Sequence, residues 1–241
     1  MPSLTAADGT ADESSDVATS GPPGAADRSR WAGVPAEHRR AQRRSLLLDA
    51  AFELLGTEGW AGTTVRAVCQ RARLNARYFY ESFPDLDDLV VTVYDRIVDD
   101  LLTGLGAALA ASAPDPAART RTVVDHIVRF VDEDRRCARV LYVEALGNEA
   151  LNRRRVETGH ELVELVERDA ARRRPPPPGA DQVGRISAAI LVGGFSELLV
   201  AWLAGRIDVG RDQLVDDATV LFLAVGDAAA GLAGRRSYDN G

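Results

Sequence analysis

Between Thr63 and Phe83 the chain reads TTVRAVCQRARLNARYFYESF, with four arginines, one cysteine and two tyrosines. An arginine fork can donate two parallel hydrogen bonds to the O6 and N7 edge of guanine. Asparagine can pair bidentately with adenine, and tyrosine can reach a phosphate or a thymine methyl. These residue types gather at Asn75, Ala76, Arg77 and Tyr78. The chemistry on offer is hydrogen bonding to an anionic surface, not bond breaking.

Elsewhere the chain carries little that could catalyse a reaction. His38, His126 and His160 are scattered, and Cys69 and Cys137 stand apart within hydrophobic patterns. There is no glycine-rich phosphate loop, no nucleophile motif and no run of residues at metal-ligand spacing. No enzyme activity, cofactor or metal is expected, and both thiols are expected to be reduced and buried. The longest apolar runs are broken by charges or glycines, so no membrane span is expected. The reading also gives no signal peptide and a cytoplasmic location.

The charge is uneven. The chain has 241 residues and a net charge of −7, and every one of its 29 bases is arginine. Residues 1–27 hold five acids and no base; residues 28–83 hold ten arginines against five acids; the remainder is acidic again. A single basic segment in an acidic chain points to an anionic partner for that segment alone.

The elements that must position these residues are helical. Residues 1–36 are rich in Ala, Ser, Gly, Pro and Asp and read as a disordered acidic tail. Leu47, Ala50, Ala51, Leu54 and Leu55 make one apolar stripe on a helix from Arg43 to Glu58, stopped by Gly59. Thr63 or Thr64 can cap a short second helix whose inner face is Val65, Val68 and Cys69. Ala72, Arg73 and Leu74 form a turn, Asn75 can cap a third helix, and Pro84 ends it. Phe79 and Phe83, four apart, read as core; Tyr78 can face outward or pack inward. Arg66 and Arg71 read as helix-surface arginines. Two short helices joined by a tight turn within a basic segment suggest a helix-turn-helix over residues 37–84.

The remainder reads as an all-α domain over residues 85–234, followed by a tail at 235–241, for about nine helices in all. A long helix runs from Asp85 to about Ser112, closed by Pro114 and Pro116. Further helical stretches fall at roughly 117–133, 135–146 and 148–173. PPPP at 175–178 reads as a stiff linker, and two strongly apolar helices follow at about 181–205 and 211–233. No strand or hairpin signal survives.

RRSLLLDAAFELLGTEGWAGTTVRAVCQRARLNARYFYESFPDLDDL resembles the N-terminal domain of the TetR family of transcriptional regulators. The features that carry the likeness are LDAAFELL, the TEGW exit, TTVRAV and YFYESF followed by proline. The rest matches in architecture, and GGFSELLVAWLAGRI is similar to the penultimate helix of many such regulators. The resemblance implies a dimeric repressor on double-stranded DNA, released from a palindromic operator by a small-molecule ligand. A regulator with no such inducer, acting as an activator or answering to a protein partner, is the alternative. Carried across by position, Thr64 and Tyr80 would contact the DNA backbone, and Asn75, Ala76, Arg77 and Tyr78 would begin the recognition helix. Arg44 lies in the basic lead-in that such regulators often aim at phosphate. The chain departs at Ala76, often lysine; at Arg77, often glycine; and at Leu86, often a phosphate-binding lysine. Arg77 thus becomes the candidate for base readout and Arg73 the candidate to replace a phosphate contact. Glu81 would repel phosphate unless it pairs with an arginine or accepts from a cytosine amine.

Helices 181–205 and 211–233 are apolar nearly all round and rich in small residues, which suits an isologous four-helix dimer bundle. Its expected contacts are Ala188, Leu191, Val192, Phe195, Leu199, Leu221, Val225 and Ala229; the rival reading is a monomer core. The expected ligand cavity would be lined by His126, Phe130, Tyr142, Phe195 and Trp202. Glu144 and Glu197 interrupt apolar faces, and could meet a ligand, a buried arginine or a helix N-terminus.

Overall fold

A computed structural model describes residues 36–173 and 181–239. The acidic tail and the four prolines lie outside the described residues. Those described are helical, with no strand among them, as the patterning predicts.

Helix α1 (Ala36–Thr57) begins seven residues before its expected start at Arg43. Its early turns are polar and carry no periodic signal. It ends where the N–H groups of Glu58 and Gly59 both donate to the Leu54 carbonyl, at 2.7 and 3.0 Å. Gly59 has φ of 78°, and a Cβ there would lie within 3.0 Å of Arg139 and Glu144 atoms. The positive φ favours glycine at this position, and a Cβ would also displace the Arg139 and Glu144 side-chain ends. A single 3-10 turn over Trp60–Gly62 replaces the expected loop.

Helix α2 (Val65–Ala72) and helix α3 (Ala76–Tyr80) follow. Helix α4 (Leu86–Ala111) starts at Asp85, whose carboxylate accepts from the Asp88 N–H at 2.8 Å. Helix α5 (Pro116–Glu133) is capped in the same way by Asp115. Helix α6 (Arg135–Ala138) does not continue as one α-helix to residue 146. It passes into a π turn over Arg139–Val143 and a 3-10 turn over Glu144–Leu146. Helices α7 (Glu149–Arg173), α8 (Asp181–Leu203) and α9 (Arg211–Asp239) complete the chain, and α9 runs past the residue-235 boundary assigned to a tail.

Two buried clusters organise these helices. The first joins Leu47, Ala51 and Leu55 of α1 and Val68 of α2 to Phe79, Phe83 and, from α4, Leu89, Val90 and Val93. It extends to Val140, Leu141, Ala145 and Leu151. The second gathers Val124, Val128 and Val131 of α5 with Phe195 and Leu199 of α8 and Leu214, Val215 and Ala218 of α9. The short α2–α3 pair thus shares one buried core with α4 and with the segment after α6.

Helices α8 and α9 depart from one expectation. Over Gln182–Leu203 and Arg211–Arg235 they are long and apolar enough to cross a membrane by length and composition. Interrupted apolar runs therefore do not exclude a span here. One face of each helix is already committed to the second cluster, through Phe195, Leu199, Leu214, Val215 and Ala218.

Candidate nucleic-acid interface

Thr64 is the N-cap of α2, and its hydroxyl oxygen accepts from the Ala67 N–H at 3.1 Å. That bond uses a lone pair and leaves the exposed O–H free to donate outward. Thr63 takes a different role: it is buried, and its hydroxyl donates to the Gly59 carbonyl at 2.8 Å. The turn after α2 is made by Arg73 in the left-handed conformation, with φ 54° and ψ 38°. The Leu74 N–H then closes on the Cys69 carbonyl at 2.9 Å. A side chain in that conformation costs about 1–2 kcal/mol over the right-handed form. The strained seat holds an exposed arginine.

Asn75 caps α3, its side-chain oxygen accepting from the Tyr78 N–H at 3.3 Å. Bidentate reading of adenine needs that oxygen as well as the amide nitrogen. The base-reading role expected of Asn75 therefore conflicts with its capping role, and the cap leaves only the amide donors for DNA. Ala76, Arg77 and Tyr80 stand exposed on α3. The Arg77 side chain is 83% accessible. Tyr78 is half-buried beneath the Arg43 guanidinium, 4.5 Å from its ring centre, so it is less outward than a phosphate ligand would be. Arg44 lies over the Phe83 ring at 4.6 Å. Arg71 is a brace between helices, paired with Glu53 and with Glu58 at 3.6 Å.

Glu81 meets one of the two conditions set for it, pairing with an arginine, and sequence reasoning missed only which arginines supply the pair. Its carboxylate accepts from Arg77 Nε at 2.9 Å and lies 3.7 Å from Arg43 Nη2, and its carbonyl accepts from Arg40 Nη2 at 2.7 Å. The Arg77–Glu81 spacing of four within a helix was the available signal.

A second junction ties this unit to the rest of the chain. Glu144 accepts from the Trp60 backbone N–H at 2.7 Å and from Arg139 Nε at 2.8 Å. Arg139 Nη1 donates to the Thr57 carbonyl at 2.8 Å, satisfying the open end of α1. The open choice for Glu144 thus resolves as an arginine pair plus a backbone N–H. Glu197 is exposed, 3.9 Å from Arg206. The Glu144 side chain is only 12% exposed. Glu144→Ala would strand a half-buried N–H and is expected to cost about 1–3 kcal/mol in urea unfolding; an unchanged midpoint would show that the contact carries no stability.

Four of the five expected ligand residues belong to the second cluster or pack against it. Phe195 belongs to it, and Phe130, Tyr142 and Trp202 pack against it. Burial pushes the Tyr142 hydroxyl up to about 12. Trp202 Nε1 donates to the Val209 carbonyl at 2.9 Å. His126 Nε2 lies 3.1 Å from the Leu101 carbonyl, which can only accept, so that nitrogen carries the proton. Nearby is an open hollow of about 330 Å³ lined by Phe52, Arg96, Ile97, Asp100, Phe130, Asp134 and Cys137; of the five, Phe130 alone lines it.

The expected dimer contacts divide. Ala188, Phe195 and Leu199 are buried within the chain, so they are core residues and not surface contacts. Leu191, Val192, Val225 and Ala229 are half-buried, and Leu221 is exposed. The exposed large apolar side chains on these helices, among the described residues, are Ile186, Ile190, Val220, Leu221 and Leu232. A Cβ added at Gly193, Gly194 or Gly226 would meet nothing within 4 Å.

Two capped helices around a tight turn, set on an all-α body, define a helix-turn-helix protein. A sequence model of bacterial regulatory proteins of the tetR family matches residues 47–93. The HTH-type transcriptional regulator BetI of Burkholderia thailandensis is 32% identical over 91 residues, 38% of this chain and 47% of that protein. The chain thus spans about half the length of the curated relatives it matches. A transcriptional regulator from Rhodococcus sp. Rha1 shares the fold with a TM-score of 0.62 at 18% identity, covering 78% of this chain and 97% of that one. The multidrug binding protein EbrR, complexed with imidazole, aligns with a TM-score of 0.56 at 21% identity over 74% of this chain and 94% of its own. The likeness to the tetR family thus rests on residues 47–93 in sequence, and on the all-helical fold for the rest of the described chain.

Proposed function

We propose that the chain is a cytoplasmic transcriptional regulator that binds a palindromic operator as a homodimer, represses, and is released by a small molecule. The observation that carries DNA binding is the exposed face of Thr64, Arg73, Ala76, Arg77 and Tyr80 on two capped helices. A groove-reading helix needs donors at its N-terminal end and no bulky residue ahead of them. The exposed apolar side chains of α8 and α9 supply a surface for a second copy, with Leu191, Val192, Leu221, Val225 and Ala229 at or beside it. The ligand would be taken up among His126, Phe130, Tyr142, Phe195 and Trp202, next to the hollow that Phe130 lines. EbrR with imidazole supports small-molecule binding by this fold. The close packing of Phe195 and Leu199, and the hydrogen bonds already made by His126 and Trp202, favour the second reading, a regulator without a small-molecule inducer.

Selection of bound DNA from a random pool tests the reading, and a palindrome with half-sites about 34–36 Å apart is expected. On the selected site, log affinity is expected to fall linearly with log salt, with a slope of about −0.9 per phosphate neutralised. No enrichment, or a flat salt dependence, would overturn DNA binding.

A further inference from the structure

We infer that Glu81 is a specificity-determining positioning residue, which sets the orientation of Arg77 and so decides which base is read. The inference rests on the proposed DNA-binding reading. An exposed arginine on a five-residue helix has many rotamers, and ordering it on DNA costs side-chain entropy. Glu81 removes part of that freedom beforehand. Its carboxylate takes Arg77 Nε, and among the described residues nothing accepts from either Arg77 Nη. The two Nη groups therefore remain as the free edge of the fork, the edge that can make a bidentate end-on contact with guanine.

Glu81 is itself held from the other side. Arg40 fixes its backbone carbonyl, and Arg43, stacked on Tyr78, approaches its carboxylate. Two arginines of α1 thus anchor the residue that aims the one on α3. Their positive charge also offsets an acid that would otherwise repel phosphate. An acid near a DNA surface weakens binding to every sequence. The aiming role predicts the opposite pattern, a gain confined to one base position.

The test compares the full chain with Arg77→Ala, Glu81→Ala, Glu81→Gln and the Arg77→Ala/Glu81→Ala pair. Each binds the selected operator, its single-base variants and random duplex. Arg77→Ala is expected to lose about 10- to 100-fold discrimination at one base position. Glu81→Ala is expected to lose most of the same discrimination at the same position, while its affinity for random duplex stays level or rises. The double variant should lose no more than Arg77→Ala, and Glu81→Gln, which can still accept from Nε, should retain more than Glu81→Ala. Loss at a different base position would mean that Glu81 reads a base directly, and would overturn the inference. So would additive losses, unchanged discrimination in Glu81→Ala, or an equal fall on every duplex together with a lowered melting temperature. Failure of the parent chain to bind any duplex would overturn the underlying reading, and is seen before any variant is compared.

Discussion

An Ile190→Glu/Leu221→Glu variant is expected to scatter light as a 25.9 kDa monomer and to lose operator affinity by a factor of 10³ or more, on the order of 4 kcal/mol, by burial of unpaired charge. Ile190 and Leu221 are 57% and 62% exposed in the single chain, so glutamate there costs the subunit fold little. A dimer that buried them would enclose four carboxylates with no cation supplied to meet them. Each half-site alone makes too few contacts for tight binding, so dissociation carries the loss of DNA affinity with it. The wild-type chain should run at twice the monomer mass. A dimeric variant, or a monomeric wild type that binds its operator with full affinity, would remove α8 and α9 from the interface. A charge at Phe195 could not make this distinction, because Phe195 is 7% exposed and packs on Phe222 within the chain.

Phe79→Ala should separate the DNA-reading unit from the rest of the molecule. Helix α3 has five residues, too few to persist on its own. Its place is set by what it buries, and Phe79 is fully buried with Phe83 6.0 Å away. Truncation to alanine is expected to cost about 3–5 kcal/mol. Because Phe79 belongs to the first cluster and not the second, the loss should appear first in the α2–α3 pair. Amide exchange should rise there while the α5, α8 and α9 amides stay protected, and operator binding should fall beyond detection. Uniform exchange across both clusters would show that the chain unfolds as one cooperative unit.

The parts of the fold legible in sequence were those with local physics. Caps at Thr64 and Asn75, the helix start at Asp85, the stop at Gly59 and the core role of Phe79 and Phe83 each follow from a few neighbouring residues. The early turns of α1 were hidden, because Arg39, Arg40 and Arg43 carry no apolar period. Inner and outer faces of α8 were also hidden: a helix apolar all round does not say which stripe meets its own chain. Phe195 consequently drew two assignments, pocket and interface, and it lies buried in the second cluster, away from the exposed stripe. For Glu144 the obstacle is distance along the chain, since its Trp60 partner lies 84 residues away. Of the candidate interface, Arg77 was visible as a donor. The arginines that steady its neighbour were not, because they arrive from another helix.

The π turn at Arg139–Val143 fits one more residue into a turn than an α-helix would hold. Each residue in a regular helix advances the direction of the side chains by about 100°. The surplus therefore acts as a phase shift inside one continuous helical run. Upstream of it Cys137 faces the first cluster; within it Tyr142 reaches the second; just beyond it Glu144 meets the Trp60 backbone. Removing one residue here would let the ladder close as ordinary α-helix, and would swing Glu144 about a quarter-turn away from Trp60. The length of this run, as much as its composition, decides whether the two halves of the chain stay in step.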